Sequence, residues 1–269
     1  MKASCQHQSP KNGGNLLFIL CLFLIHLPYL TIASSNSEKS VNCPCEIAPL
    51  PDYQNKELTA RWMVHSLNWG VLTTISSRLK DGQEAAIPFG NVYSFVDGTC
   101  QNSTGIPYFY GTYMDQSFKD TLTNTNAALT LSEASLSSVC LDQTGDAVAA
   151  AATTTTTQEP VRQNACQVGI AHGDAENPVC ARLTLTGKFV QVTDPEEKGW
   201  ALQALFTRHS SMKDWPQDHA WVVGKLVLSD IWLIDFYGGA SILDVDAYYQ
   251  ANDFMNAVSN DRAAATLDA

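Results

Sequence analysis

A succession of short β-branched and aromatic runs, each closed by Gly, Asp, Asn or Pro, constrains this chain more than any other feature. Trp69 to Ser76 (WGVLTTIS), Asn91 to Asp97 (NVYSFVD) and Pro107 to Tyr113 (PYFYGTY) are such runs. Side chains of that shape suit a pleated, half-buried surface, and the residues between them suit turns. Ala127 to Ala134 (AALTLSEA) and Cys180 to Val192 (CARLTLTGKFVQV) alternate apolar with polar, the two-residue period of a half-buried strand. Trp221 to Leu228 and Ile231 to Tyr237 read as a hairpin turning at Ser229-Asp230. Helical spacing occurs at the corners. Lys56 to Leu67 reads as an amphipathic helix, Gln116 to Thr123 as a short one and Val245 to Ala257 as a last one. Asp194, Pro195 and Glu197 together form a helix start signal, with Trp200, Leu202, Ala204, Leu205 and Phe206 on the buried side. Short strands in meander order with helices at the corners predict a mainly β, α+β chain that closes into an antiparallel barrel with flanking helices.

The first residues predict a compartment. Lys2 and Lys11 precede the apolar run Leu16 to Leu27, followed by Pro28 and the small stretch Thr31 to Ser34, which is the order of a secretory signal peptide. The run is about a dozen residues, whereas a bilayer span takes about 20. Residues 1–33 are therefore expected to be removed after Ala33, leaving a chain without a membrane segment. Residues 34–55, with Pro44, Pro49 and Pro51, read as an extended lead-in. The barrel domain is expected over 56–258, interrupted by DAVAAAATTTTTQEP, whose Ala and Thr runs carry no core-forming period. That places an insertion loop without fixed order at 146–164, and a C-terminal tail at 259–269.

Loss of the signal leaves Cys43, Cys45, Cys100, Cys140, Cys166 and Cys180 in an oxidising compartment, where disulfides are expected. Six cysteines allow 15 pairings that sequence alone does not resolve. Cys43-Pro44-Cys45 has the wrong spacing for a zinc knuckle, so no metal is expected. Asn102-Ser103-Thr104 is a glycosylation sequon between Gly98 and Gly105, which makes Asn102 the expected glycan carrier on a surface loop. Against 27 acidic residues stand 16 basic ones, a net charge of −11 that repels a phosphate backbone and excludes nucleic acid as an expected partner.

Hydrolase and nucleotide-binding signatures are missing: the chain has no GxSxG, HExxH, Walker loop or GxGxxG. His209 and His219, with Arg208 and Asp218, would make a proton-transfer or metal site if the fold brought them together. The simpler reading is that Arg208 and His209 answer the dipole at a helix C-terminus. Trp200, Trp215, Trp221 and Trp232 read as core or interface aromatics.

Several segments carry a resemblance to a known family. NWGVLTTIS (Asn68 to Ser76), PFGNVYSFVDG (Pro88 to Gly98), GIPYFY (Gly105 to Tyr110), Cys180 to Gly187, and above all RHSSMKDWPQDHAWVVGKLVLSDIWLIDFYGGASILDVDAYY (Arg208 to Tyr249) closely resemble the CREG family of secreted and endolysosomal glycoproteins. The similarity covers nearly all of 56–250; the Ala/Thr-rich insertion, Cys100, Cys166 and the acidic charge depart from it. The resemblance implies an antiparallel Greek-key split barrel of the FMN-binding type, related to pyridoxamine-phosphate oxidase folds, that forms a homodimer. It also implies an extracellular, lysosomal or vacuolar destination.

Flavin barrels similar to this one hold the FMN phosphate with basic residues on the second strand and before the following helix. The matching positions here are Gly90, Phe95 and the stretch Gln116, Ser117, Phe118, none of them basic; Lys119 and Arg78 are the nearby cations. A phosphate dianion leaving water needs such cations. The expectation is therefore no cofactor and a non-catalytic glycoprotein that binds a receptor or other protein; the alternative is an FMN-dependent oxidoreductase. The resemblance further implies a Cys140–Cys180 disulfide at the base of the insertion, which the flanking strands would hold. Closing a loop of about 40 residues is worth roughly 3–4 kcal/mol.

Overall fold

Asn55 opens the first helix, α1 (Lys56–Ser66), by accepting the Leu58 amide at 3.1 Å. From Thr59 to Ser66 every residue of α1 is buried, so it is a core helix and not the two-faced surface helix its spacing suggests. The computed structural model describes residues 50–79, 86–136 and 174–252, together with Cys45, Ala48, Cys166, Val168 and Met255. The expected signal peptide, the insertion loop at 146–164, Cys43, Cys140, His172 and the C-terminal tail lie outside the described residues. Among the described residues no helix is long and apolar enough to cross a membrane.

Seven strands follow: β1 (Trp69–Ile75), β2 (Pro88–Val96), β3 (Tyr108–Gly111), β4 (Asn126–Ser132), β5 (Arg182–Gln191), β6 (Val222–Ile234) and β7 (Ser241–Leu243). Their order in the sheet is β3-β2-β1-β4-β5-β6-β7, every pairing antiparallel, and a further β3–β6 pairing closes the first six into a barrel. Strand β4 returns beside β1 after the β1-β2-β3 meander, which is the Greek-key order. Among the described residues α1 is followed by the helices α2 (Gln116–Thr121), α3 (Pro195–Arg208) and α4 (Val245–Gln250).

The strand alternation decides what fills the barrel. Leu72, Phe95, Phe109, Leu129, Leu131, Leu183, Leu185, Phe189, Leu226 and Leu233 form one core with Trp62 and Met63 of α1. On the outside, α3 lays Ala201, Ala204 and Leu205 over Val96, Tyr108, Tyr110 and Val223. The barrel has a seam. Strands β2 and β3 share only Phe95↔Phe109 and Val96↔Tyr108. Further along β2, the Tyr93 hydroxyl and the Asn91 amide donate to the Asp115 carboxylate, so side chains tie β2 to the turn after β3.

Three expectations need correction. The hairpin at Ser229-Asp230 is one continuous strand, β6, with a bulge: Asp230 pairs with Thr186 and Leu228 with Gly187, leaving Ser229 as the extra residue. The inward phase moves from Leu226 and Leu228 to Ile231 and Leu233, and two consecutive polar residues face out. In sequence that phase break mimics a turn. The helix that begins at Val245 ends at Gln250, with the Ala251 amide bonding back to Ala247 and Tyr248, and most of the expected stretch from there to Ala257 lies outside the described residues. Finally, Cys180 is bonded to Cys166, not to Cys140, and Cys45 is bonded to Cys100. The Cys166–Cys180 loop is short, with a sequence separation of 14, and the Asp174–Cys180 turns bring the two together, so the partner nearer in sequence wins.

Candidate functional site

Asp97, at the end of β2, gathers polar groups from α1, from the end of α3 and from the loop that follows β2. Its side chain is fully buried. Oδ1 lies 2.8 Å from Nδ1 of His65 on α1 and 3.6 Å from Nη1 of Arg208 at the end of α3. Oδ2 accepts the Ser103 hydroxyl and, at 3.4 Å, the Gly105 amide. Burial pushes the Asp97 carboxyl up, but His65, Arg208 and the Ser103 hydroxyl together hold it below the usual carboxylate range.

Two buried arginines complete this knot, each serving a helix other than its own. Arg208 donates to the carbonyls of His65 and Leu67, at 2.6 and 3.4 Å, and to the Asn68 side chain at 2.9 Å; it thus satisfies carbonyls left open at the C-terminal end of α1. Arg61 reaches the carbonyls of Tyr248 and Tyr249 at the end of α4, at 3.2 and 2.8 Å, and both oxygens of Ser103. The sequence reading had Arg208 and His209 answer their own helix. Arg208 instead answers α1, while the ring of His209 lies 3.0 Å from the Phe95 carbonyl through Nε2.

His209 and His219 do not meet in a common set. His219 lies near Asp218 at 3.6 Å, and its carbonyl accepts the Thr112 hydroxyl. Among the described residues no group of three or more potential ligands would hold a metal. Trp215 and Trp221 pack around Tyr110, and Trp200 meets Tyr108 edge-on, so these three are packing residues. Asn102 is exposed at the tip of the Asp97–Gly105 loop, next to Ser103 in the knot.

The positions matched to a flavin phosphate have other duties. Phe95 and Phe118 are core residues, and Gly90 offers no side chain. The Gln116 amide, the Ser77 amide and hydroxyl, and the Thr74 hydroxyl all donate to the buried Asp120 carboxylate at 2.7–2.8 Å. Burial raises that carboxyl, and the four donors bring it below the usual range. Arg78 lies over the Phe89 ring at 6.0 Å, and Lys119 sits on the exposed side of α2. This set does not fit a phosphate dianion: its neutral donors are already taken by a negative charge of the chain's own.

One outer row of the barrel is free of charge, lying between a row that holds Arg182 and one that ends at Asp230. Register places Val92, Val71, Thr130, Thr184, Trp232 and Ile242 in a single row across β2, β1, β4, β5, β6 and β7. At about 4.8 Å per strand the row is about 24 Å long. Its ends are open, with Val92 62% and Ile242 67% exposed. Gly90, Thr73, Ala128 and Thr186 form a parallel row beside it that ends at Asp230.

The fold and these features define a closed Greek-key barrel with a buried ionic knot and no recognisable catalytic set among the described residues. The chain belongs to the CREG family: the family model described as "CREG, beta-barrel" matches residues 51–250. It is 35% identical over 193 residues to Protein CREG2 of Mus musculus, covering 72% of this chain and 56% of that protein. It is 34% identical over 201 residues to Protein CREG2 of Homo sapiens, covering 75% and 58%. To Protein CREG1 of Gallus gallus it is 32% identical over 202 residues, covering 74% and 88%. The chain thus spans under three-fifths of the length of the two CREG2 proteins. Among solved structures it is similar to a heme binding protein from Mycobacterium smegmatis, with a TM-score of 0.47 and 15% identity over 72% of this chain and 60% of that one.

Proposed function

We propose that this chain is a secreted or endolysosomal glycoprotein that works without catalysis, binding a receptor or other protein as a homodimer joined across the uncharged row of the barrel's outer face. The row from Val92 to Ile242 carries this reading. Two copies of a chain with net charge −11 repel one another over most of their surface. A row six strands wide without a formal charge is where a second copy approaches at least cost, and β-branched, Thr and Trp side chains supply the contact. A stable dimer buries about 800 Å² on each partner, so the contact extends beyond this row to the neighbouring Thr73–Thr186 row. The non-catalytic part is supported by the donor set around Asp120, which leaves no cationic cradle for a flavin phosphate. Exposed Asn102 supports glycosylation.

Light scattering on the purified chain at micromolar concentration tests the assembly. A dimer is expected for the native sequence and a monomer for Thr184→Arg, which plants a cation at the centre of the row. A monomeric native chain refutes the homodimer; a dimeric Thr184→Arg variant moves the interface to another face.

A further inference from the structure

Asn102 is exposed, yet the residues that make it an acceptor are not free. We propose that Asn102 takes its glycan only while the Asp97–Gly105 loop is open, and that formation of the Cys45–Cys100 disulfide together with the Asp97 knot ends the reaction. The inference rests on the glycoprotein reading above.

The chemistry sets what must be accessible. The Asn102 side-chain nitrogen bonds to C1 of an oligosaccharide carried on a polyprenyl diphosphate. The C1–O bond to the diphosphate breaks, the diphosphate leaves with the electron pair, and one amide proton passes to a base on the transferring enzyme. That enzyme reads the hydroxyl two residues after the asparagine, so the acceptor nitrogen and that hydroxyl must both be free to enter its site. In the folded loop the Thr104 hydroxyl is used twice: it donates to the Asp97 carbonyl at 2.6 Å and accepts the Ile106 amide at 3.1 Å. The Thr104 amide also bonds the Asp97 carbonyl, at 2.9 Å. Ser103, between acceptor and hydroxyl, has its side chain held by Asp97 and Arg61.

The backbone around the sequon is held where it is. The Asn102 amide closes a turn onto the Thr99 carbonyl at 3.2 Å, and Gly105 takes φ +74°, a left-handed conformation other residues seldom adopt. At Gly98 a side chain would collide with the Asn102 carbonyl, so the two arms of the loop are in backbone contact. Two residues before Asn102, Cys100 is bonded to Cys45, 55 residues earlier in the chain. Bringing the sequon into the enzyme's site therefore requires the knot to release Ser103, Thr104 to give up its bonds, and the anchored base of the loop to move. An exposed asparagine is not enough.

The full chain, made without glycan and lacking residues 1–33, is offered to a purified eukaryotic oligosaccharyltransferase with its lipid-linked oligosaccharide, and Asn102 occupancy is read by peptide mass. Three preparations are compared: folded and oxidised, reduced and freshly diluted from denaturant, and a folded Cys45→Ala/Cys100→Ala variant. The reduced chain is expected to be modified at least ten-fold faster than the folded one, with the variant between them. Equal rates for folded and reduced native chain overturn the proposal, and those two arms do so even if the variant fails to fold. A variant as slow as the folded native chain removes the disulfide from the mechanism and overturns that half. Modification of neither native preparation refutes the glycoprotein reading itself, a result distinct from failure of the timing.

Discussion

Replacing Asp97 by Asn tests whether the knot depends on one carboxylate. The substitution keeps the volume and one carbonyl oxygen but removes the charge opposite Arg208, which is itself buried, and leaves the amide facing the Ser103 hydroxyl and the Gly105 amide. Breaking one side of a buried ion pair costs about 3–5 kcal/mol because the remaining charge is stranded. A domain of about 200 residues loses about 2–4 °C of Tm per kcal/mol, so the expected fall is roughly 6–20 °C. Circular dichroism melts of the native chain, D97N, Arg208→Met and the double variant give the cycle. If Asp97 and Arg208 act as a pair, the double variant loses less than the sum of the singles. A D97N loss below about 1 kcal/mol, or strict additivity in the cycle, refutes the claim that this carboxylate is the counter-charge of Arg208. Asp97 is held below its ordinary range, so its contribution is present above the unfolded carboxyl value near 4 and disappears as pH falls through the folded one. At the pH of an acidic lumen, about 5, this part of the knot remains intact.

Three further outcomes are expected. Burial lowers the His209 pKa below its usual value, so the unfolded chain takes up its proton first as pH falls. Stability should therefore drop from pH 7 toward 5, less so in His209→Gln; an equal drop in both contradicts this. Purified protein should be colourless and leave micromolar FMN unbound by fluorescence quenching, and a yellow preparation with flavin absorption would reverse the cofactor reading. Non-reduced peptide mapping should recover Cys166 joined to Cys180, and Cys180→Ala, tested beside Cys166→Ala, should cost about 3 kcal/mol for a loop of this length; a Cys140–Cys180 peptide would contradict the structure.

What the sequence made legible were signals confined to a few neighbouring residues. Asp194 does accept the Glu197 amide, at 2.7 Å, and α3 does begin at Pro195. The β-branched and aromatic runs fall where β1 and β3 lie, and the alternating ones where β4 and β5 lie, because both patterns suit a pleated, half-buried surface. The bulge at Ser229 was not legible, since one extra residue in a long strand and a two-residue turn leave the same polar pair in an apolar run. Nor was the knot. His65 and Asp97 are 32 residues apart and His65 and Arg208 are 143 apart, and a buried charge reveals itself only through partners that the fold supplies. Asp97 followed by Gly98 reads as a turn, and Arg208 beside His209 as a helix end; both are true locally and omit the pairing.

The partners of Arg61 and Asp97 also impose an order on biosynthesis. Arg61, Asp97 and Ser103 leave the ribosome early, but Arg208 follows much later, and the carbonyls that Arg61 needs belong to Tyr248 and Tyr249. At about 5–20 residues per second, the roughly 145 residues between Thr104 and Tyr248 take about 7–30 s to add. During that interval α1 lacks the cation at its C-terminal end and the sequon loop lacks its full set of restraints. The knot is therefore a late event of synthesis, completed only when α4 has been added to the nascent chain. Truncations that remove α4 should leave Arg61 a buried cation without its helix-end carbonyls, and such chains are expected to melt below the whole chain by circular dichroism.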